Sequence, residues 1–192
     1  MYQKYFKRLF DIILSSVLIL FFSPMMVLLF FLIWIFIGFP IFFQKRPGLN
    51  DKIFTLYKFK SLYDADKNFS ENKRQNKLGN FLRKTGLDEL PQLFNVFKNN
   101  MSFVGPRPLL IEYLKKYTVF EKKRHLVKPG ITGLAQVSPE PSGKKSWNKS
   151  IKLDIFYVNN VSFFLDIEIL FKTLILILFK KKQYKDFKKF YE

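Results

Sequence analysis

Two adjacent carboxylates, Asp88 and Glu89, lie between a basic stretch and an apolar segment that begins at Leu90. Acidic residues at the start of a helix usually act as caps, because they satisfy free backbone N–H groups and the helix dipole. The alternative is chemical, since a carboxylate held beside Arg83 stays ionised and can be directed at an anionic centre. Attack of that carboxylate on phosphorus gives an acyl phosphate. A divalent cation and arginines would then have to neutralise the phosphates.

The segment Gly105-Pro106-Arg107-Pro108 is a second candidate for phosphate chemistry. Its two prolines restrict the backbone on either side of Arg107, so the guanidinium extends from a stiff turn. Such an arginine suits bidentate binding of phosphate. A structural turn with a solvated arginine is the plainer alternative.

Four further charged residues have weaker claims. Lys58 and Lys60 alternate as in a strand and place two ammonium groups on one face, although a solvated strand face has the same pattern. Asp154 and Asp166 lie near aromatic residues and could hold a metal or orient an arginine. A carboxylate considered alone is more often a surface or capping residue.

Composition narrows the class of partner. The 192 residues carry a formal net charge of +18, which favours an anionic partner such as phosphorylated small molecules, nucleic acid or the anionic membrane surface. The chain has no Cys and a single His, His125, so thiolate metal sites and histidine clusters are excluded. A bound metal would take oxygen ligands, which indicates magnesium or manganese rather than zinc.

Residues 12–40 carry no charge and are long enough to cross a bilayer as a helix. Basic residues flank this segment on both sides, and positive flanks favour the cytoplasmic side. A helix that enters and returns satisfies both flanks. Pro24 leaves the carbonyl near Leu20 without its helical donor, and the Ser23 hydroxyl can compensate. We therefore predict a re-entrant helix-break-helix bent at Ser23-Pro24, with a kinked spanning helix as the alternative.

The rest of the chain predicts a mainly helical α+β domain. We expect strand and turn over 41–60, a polar loop over 61–78, helices over Leu90–Asn99 and Leu109–Lys123, and a loop from 129 to about 147. Residues 163–179 are apolar but interrupted by charges. In the tail, Tyr184, Phe187 and Tyr191 share one helical face, which is typical of an interfacial amphipathic helix; an ordinary core helix with a solvated basic tail is the alternative. The predicted units are 1–40 in the membrane, 41–179 as a small cytoplasmic globular domain and 180–192 as a basic interfacial tail.

Taken together, the motifs resemble the small monotopic phosphoglycosyl transferases of bacteria, from roughly Tyr2 to Leu178. Many blocks occur in the expected order and spacing, which makes the resemblance specific. The blocks are Lys7-Arg8-Leu9-Phe10-Asp11, Ser23-Pro24, Gln44-Lys45-Arg46-Pro47-Gly48, Tyr57-Lys58-Phe59-Lys60, Leu87-Asp88-Glu89-Leu90-Pro91-Gln92-Leu93-Phe94-Asn95-Val96, Met101-Ser102-Phe103-Val104-Gly105-Pro106-Arg107-Pro108-Leu109 and Pro129-Gly130-Ile131-Thr132-Gly133-Leu134-Ala135-Gln136-Val137.

The resemblance implies an enzyme that moves a phosphosugar from a nucleoside diphosphate sugar, with uridine as the expected base, to polyprenyl (undecaprenyl) phosphate. Asp88 would be the covalent nucleophile, with Glu89 as its partner in the dyad, and Mg²⁺ would sit between Asp88 and the diphosphate. The active site would face the cytoplasm at the bacterial inner membrane, where the first step of glycoconjugate assembly would take place. The expected substrate-binding residues are Lys60, Arg83, Pro106, Arg107, Pro108, Lys144, Lys145, Asp154 and Asp166.

One loop departs from the family pattern. After Val137 the family usually continues Asn-Gly-Arg-Asn, whereas this chain runs from Ser138 to Trp147 without an arginine. Lys144 or Lys145 supplies the charge but not the planar fork of a guanidinium. We expect this loop to set the choice of nucleotide sugar rather than the chemistry of the dyad.

Two other functions remain open on the sequence. A membrane-anchored binding protein would hold anionic lipid or nucleic acid through its positive charge. A catalytically altered relative would act as a scaffold. We favour the enzyme, with membrane lipids and its two substrates as partners and with no nucleic acid; a homodimer stays open.

Overall fold

The computed structural model describes residues 2–64, 74–138 and 146–179, and it is mainly helical. The helices are α1 (Lys7–Phe36), α2 (Lys77–Thr85), α3 (Gln92–Phe97), α4 (Val119–Lys122), α5 (Leu134–Val137), α6 (Trp147–Asn159) and α7 (Phe163–Phe179). The strands are β1 (Ile41–Pro47), β2 (Ile53–Phe59), β3 (Ser102–Val104) and β4 (Gly130–Thr132). Single turns of 3₁₀ helix cover Leu49–Asp51, Leu87–Glu89, Ile111–Lys115 and Lys123–Leu126, and a π-helical turn, Tyr2–Phe6, precedes α1.

Helix α1 is long and apolar enough to cross a membrane, with a mean hydropathy of 2.7 over its most apolar stretch. It is continuous through Pro24, so the predicted interruption consists of one missing backbone donor and not of a break between two helices. The Ser23 hydroxyl donates to the Leu20 carbonyl at 2.8 Å. This confirms the predicted compensation of that carbonyl by Ser23.

Both ends of α1 pack on the rest of the protein, and the buried side chains of the helix lie toward those ends. In the middle, Leu20 is 77% exposed and Phe21 is 73% exposed. At each end, buried side chains recur every fourth residue, which is the spacing of one helical face. They are Lys7, Asp11 and Ser15 at the start, and Leu29, Ile33 and Ile37 at the end.

The two ends of α1 contact different elements. At the start, the Asp11 carboxylate accepts hydrogen bonds from the Phe103 amide and the Ser102 hydroxyl, both at 3.1 Å. At the end, the apolar face packs in a core cluster with Phe59 and Leu82. The start of α1 is therefore fixed to β3, and its end lies against β2 and α2.

Strands β1 and β2 form an antiparallel hairpin in which Ile41 pairs with Phe59 and Pro47 with Ile53. This confirms the predicted strand, turn and strand. Asn95 of α3 continues the pairing at the edge of β2, because its side-chain amide donates to the Thr55 carbonyl at 2.7 Å and its side-chain oxygen accepts from the Tyr57 amide at 2.9 Å. Asn95 thereby attaches α3 to the hairpin.

The bounds of four predicted segments differ from those in the structure. The helix expected over Leu90–Asn99 begins only at Gln92, after Pro91. The helix expected over Leu109–Lys123 is divided, because Thr118 and Glu121 form a capping box that starts α4 anew. The loops contain structure that was not predicted: α2 begins within the expected loop 61–78, and β4 and α5 lie within the expected loop 129–147.

The main core joins α1, β2, α3, β3, α6 and α7, with Val96, Met101, Tyr157 and Ile169 fully or almost fully buried. Helix α7 places Ile169 in this core and leaves apolar side chains such as Phe164 and Leu178 exposed. The predicted interfacial tail, 180–192, lies outside the described residues.

Candidate active site

The Asp88–Glu89 pair lies in its own 3₁₀ turn between α2 and α3, and not at the first turn of an α-helix as expected. Gly86 ends α2 with a φ of +75°, a conformation that favours glycine, and so lets the chain turn into the pair. Neither carboxylate caps α3, which begins after Pro91 without a side-chain cap. The capping alternative is therefore wrong, and both carboxylates are available to other groups.

Glu89 is held by two cations from distant parts of the chain. Lys58 of β2 donates to Glu89 Oε1 at 2.7 Å, and Arg107 Nη2 donates to the same oxygen at 3.1 Å. Burial raises the pKa of Glu89, but the charges and hydrogen bonds of Arg107 and Lys58 outweigh it and lower that pKa to about 2. Glu89 is thus ionised at neutral pH and brings the lysine and the arginine together.

Asp88 has the opposite character. Its side chain is buried, and burial followed by the charge of Glu89 raises its pKa from 3.8 to about 6. Lys58, Arg107 and Arg83 oppose this shift but do not cancel it. Arg83 thus acts in the expected direction, since its charge favours the ionised form of Asp88, but burial outweighs it; with a pKa of about 6 the carboxyl group is still mostly ionised at pH 7.

The Gly105-Pro106-Arg107-Pro108 turn packs closely against neighbouring backbone, which supports the prediction of a stiff turn. Strand β3 runs parallel to β4, and the Gly105 amide donates to the Thr132 carbonyl at 2.9 Å. A Cβ atom on Gly105 would lie 2.3 Å from the Lys128 carbonyl oxygen, and one on Gly130 would lie 2.1 Å from the Gly105 nitrogen. Only glycine fits at either position. The closely packed backbone therefore fixes the position from which the Arg107 side chain reaches Glu89.

The other predicted binding residues lie in different surroundings. Lys60 forms an ion pair with Asp64 at 2.6 Å rather than with the dyad. Arg83 donates to the Asn80 side chain at 2.9 Å while its charge acts on Asp88. Their roles in substrate binding stay predictions. Lys144 and Lys145 lie outside the described residues.

Asp154 and Asp166 are both buried, and both bind other side chains of the protein. Asp154 accepts from Arg124 at 2.6 Å, which confirms that it orients an arginine. Asp166 forms an ion pair with Lys7 and accepts from the hydroxyls of Tyr157 and Tyr2, each at 2.6 Å. Asp166 therefore joins the start of α1 to α6 and α7. The contact of either carboxylate with substrate stays a prediction.

Lys58 is the residue whose role the sequence left undecided. Lys58 and Lys60 share the same alternation, and the chosen candidate was Lys60. In the structure Lys58 reaches Glu89, 31 residues further along the chain. Pairing of β2 with α3 through Asn95 was the missing information, because it sets which part of β2 faces the dyad.

The donor set suits one hard cation. Among the described residues there is no cluster of three or more His, Cys, Asp or Glu side chains that could hold a metal alone. Magnesium commonly takes one or two carboxylates and completes its shell with substrate phosphates and water. Asp88 fits this pattern, because it is a buried carboxylate with a raised pKa that a nearby cation would stabilise in its charged form.

The chain matches the bacterial sugar transferase family over residues 2–180. It is 45% identical to the uncharacterized sugar transferase EpsL of Bacillus subtilis strain 168, covering 88% of this chain and 85% of that protein. It is 34% identical to the undecaprenyl-phosphate galactose phosphotransferase of Salmonella typhimurium strain LT2 over 92% of this chain. It is 35% identical to the UDP-glucose:undecaprenyl-phosphate glucose-1-phosphate transferase of Escherichia coli strain K12 over 90% of this chain.

The similarity has a defined extent. The chain spans 41% of the Salmonella protein and 40% of the Escherichia coli protein, whereas it spans most of the Bacillus relative. The matched region includes the Asp88–Glu89 dyad, Lys58 and the Arg107 turn. The resemblance that the motifs indicated is thereby confirmed, and the chain belongs to the bacterial sugar transferase family.

Proposed function

We propose that this protein transfers a sugar phosphate from a nucleoside diphosphate sugar to polyprenyl phosphate, through a covalent intermediate on Asp88. The observation that carries the proposal is the difference between the two neighbouring carboxylates in their ion-pair partners and in their pKa values. Glu89 is bound by Lys58 and Arg107, whereas Asp88 is buried with a pKa of about 6. The relatives named as undecaprenyl-phosphate sugar transferases support the two substrate classes.

The proposed reaction has two displacements at the phosphorus that bears the sugar. A carboxylate oxygen of Asp88 attacks this phosphorus, and the bond to the departing nucleoside monophosphate breaks. A phosphate oxygen of the polyprenyl phosphate then attacks the same phosphorus, and the carboxylate leaves. Each displacement brings two anions together, so it requires nearby positive charge. Lys58 and Arg107 supply that charge while Glu89 holds them in place.

We propose Mg²⁺ as the cofactor, with Asp88 as its protein ligand. When bound, the ion would neutralise charge on the diphosphate. The oxygen donors at the dyad and the raised pKa of Asp88 support this choice. A uridine base in the donor is supported by the UDP-glucose named for one relative.

We also propose that α1 is re-entrant and that the site faces the cytoplasm. A spanning helix would place its two ends on opposite sides of the membrane. Here both ends of α1 pack on the domain that carries the dyad, while Leu20 and Phe21 in the middle are exposed. The basic residues on both flanks of the apolar segment favour the same side.

Turnover tests the proposal directly. Purified protein in detergent, with Mg²⁺ and polyprenyl phosphate, should release nucleoside monophosphate from at least one member of a panel of uridine diphosphate sugars. Asp88→Asn should retain less than about a thousandth of this activity, by comparison with the loss of other groups that act as a unit. Glu168→Gln is the matched control, because it alters an exposed carboxylate paired only along its own helix.

The alternative of a binding or scaffold protein predicts a different result. Such a protein would retain anionic lipid, in a salt-dependent manner, and would release no nucleoside monophosphate from any donor. It would also be indifferent to Asp88→Asn.

A further inference from the structure

A buried arginine away from the dyad holds the turn that carries Arg107. Arg124 lies in the 3₁₀ turn Lys123–Leu126 and is 2% exposed. Its Nη2 donates to the Arg107 carbonyl oxygen at 2.8 Å and to the Asp154 carboxylate at 2.6 Å. Its Nη1 donates to the Tyr117 hydroxyl at 2.9 Å. One guanidinium thus links α6, the Tyr117 segment and the backbone beside the dyad.

The hydrogen bond from Arg124 to the Arg107 carbonyl restricts the ψ angle of Arg107, which the rest of the turn leaves free. Prolines on both sides restrict the backbone, and the Pro106 carbonyl accepts from the Gly130 amide at 3.0 Å. The peptide unit between Arg107 and Pro108 has no N–H, so its carbonyl is its only group for hydrogen bonding. Arg124 holds that carbonyl, and with it the ψ angle of Arg107.

Stability is a poor explanation for this pair. Removing two charges from water costs several kcal/mol for each ion, and apolar side chains of similar volume often stabilise a fold equally well. The guanidinium offers something that an apolar side chain lacks, which is a planar set of donors that reaches a carboxylate and a carbonyl from one nitrogen. Geometry at Arg107 is therefore the property that depends on Arg124.

We propose that Arg124, oriented by Asp154, is a positioning residue of the transfer reaction that acts through Arg107. It holds the turn so that the Arg107 guanidinium reaches Glu89 and the phosphates of the donor together. The inference rests on the proposed function for its kinetic consequence. Its structural consequence, the immobility of the turn, does not depend on turnover.

A double-mutant cycle tests the kinetic part. Arg124→Lys keeps the charge but loses the planar fork, and we expect it to lower kcat/KM for the nucleotide sugar at least tenfold. In an Arg107→Ala background the same change should cost less than twofold, because the residue through which it acts is absent. Equal losses in both backgrounds would overturn the proposal. Tyr117→Phe is the matched control, since it removes a bond to the same guanidinium but not the bond to the turn; it should cost less than twofold.

The paired change Arg124→Met with Asp154→Leu covers the event that Arg124→Lys does not fold. Apolar replacement of a whole buried pair preserves folding in other proteins. This variant should fold and lose at least tenfold in kcat/KM. A folded variant with wild-type kcat/KM would show that the pair is structural and would overturn the proposal.

Hydrogen exchange separates a failure of this inference from a failure of the proposed function. In the Arg124 variants the Gly130 amide, which donates to the Pro106 carbonyl of the turn at 3.0 Å, should exchange at least tenfold faster, and in Tyr117→Phe it should not. If wild type shows no turnover but the Arg124 variants show the expected faster exchange, the transfer reaction is rejected, while the role of Arg124 in fixing the turn is supported. Unchanged exchange in all Arg124 variants would reject the positioning role, whatever the activity.

Discussion

At the scale of single residues, the site depends on two neighbouring carboxylates that the fold makes unlike. Glu89 has a pKa of about 2 and Asp88 one of about 6. Pairs of titratable groups whose environments separate their pKa values often have separate roles. Lys58 and Arg107, which lie 31 and 18 residues from Glu89 in the chain, lower the pKa of Glu89, whereas burial and then the charge of Glu89 raise the pKa of Asp88. The local sequence therefore showed the pair of carboxylates, but not which of the two has the raised pKa and which has the lowered pKa.

We predict that Asp88→Asn makes the protein more stable at pH 7.5 in magnesium-free buffer. Keeping a buried charge whose pKa has risen from 3.8 to about 6 costs up to about 3 kcal/mol once the carboxyl is ionised. The folded state binds the proton more tightly than the unfolded state, so this cost is complete above pH 6 and disappears below about pH 4. Thermal unfolding of wild type and Asp88→Asn from pH 4 to pH 7.5 measures this difference in stability. An Asn variant that is less stable than wild type at pH 7.5 would contradict the cause assigned to the raised pKa.

Lys58 and Lys60 give a second test at this scale. Lys58→Met removes a bond to Glu89 and positive charge near Asp88, so we expect at least a tenfold loss of kcat/KM for the nucleotide sugar. Lys60→Met breaks only the ion pair with Asp64 seen here, and its loss should be several times smaller. Steady-state kinetics of the two variants, at matched folded concentration, decide the order. The reverse order would favour the substrate-binding role that the sequence predicted for Lys60.

At the scale of elements, the sequence predicted what depends on neighbouring residues. The β1–β2 hairpin, the apolar α1 and the stiff turn around Arg107 were all found from local patterns. Helix α2 was missed, since its polar beginning resembles a loop until the Asn76 side chain caps it by accepting from the Gly79 amide at 2.6 Å. The helix expected over Leu109–Lys123 was predicted as one element, but a capping box at Thr118 and Glu121 divides it.

The topology of α1 is the prediction that belongs to this scale. Gln3 and Asn50 are exposed and lie on either side of the apolar segment. The chain has no cysteine, so Gln3→Cys and Asn50→Cys each introduce a single thiol. Both should be shielded from a membrane-impermeant thiol reagent in intact cells and should react after lysis. Labelling of Gln3→Cys from outside, with Asn50→Cys protected, would establish a spanning helix instead.

Replacement of both Ser23 and Pro24 by Ala provides the matched variant for that experiment. It restores the backbone donor to the Leu20 carbonyl and removes the Ser23 hydroxyl that now serves it. The segment should then shift toward spanning, with part of the Gln3→Cys population becoming accessible from outside.

At the scale of the whole molecule, long-range pairs set the position of α1 relative to the site. Lys7 with Asp166 joins α1 to α7, and Asp11 joins α1 to β3, which leads into the Arg107 turn. These pairs lie 159 and 92 residues apart in the chain. No local pattern predicts them, and Asp166 was accordingly assigned to the substrate. In the structure Asp166 attaches α1 to the rest of the protein through its ion pair with Lys7.

The covalent intermediate on Asp88 is the central claim, and mass spectrometry of the protein tests it most directly. Wild type incubated with Mg²⁺ and a turned-over uridine diphosphate sugar, without polyprenyl phosphate, should gain the mass of one phosphosugar on the peptide that contains Asp88. The adduct should disappear when polyprenyl phosphate is added, and Asp88→Asn should not form it. Turnover by wild type with no adduct under rapid quenching, or an adduct that persists in Asp88→Asn, would contradict the proposed role of Asp88.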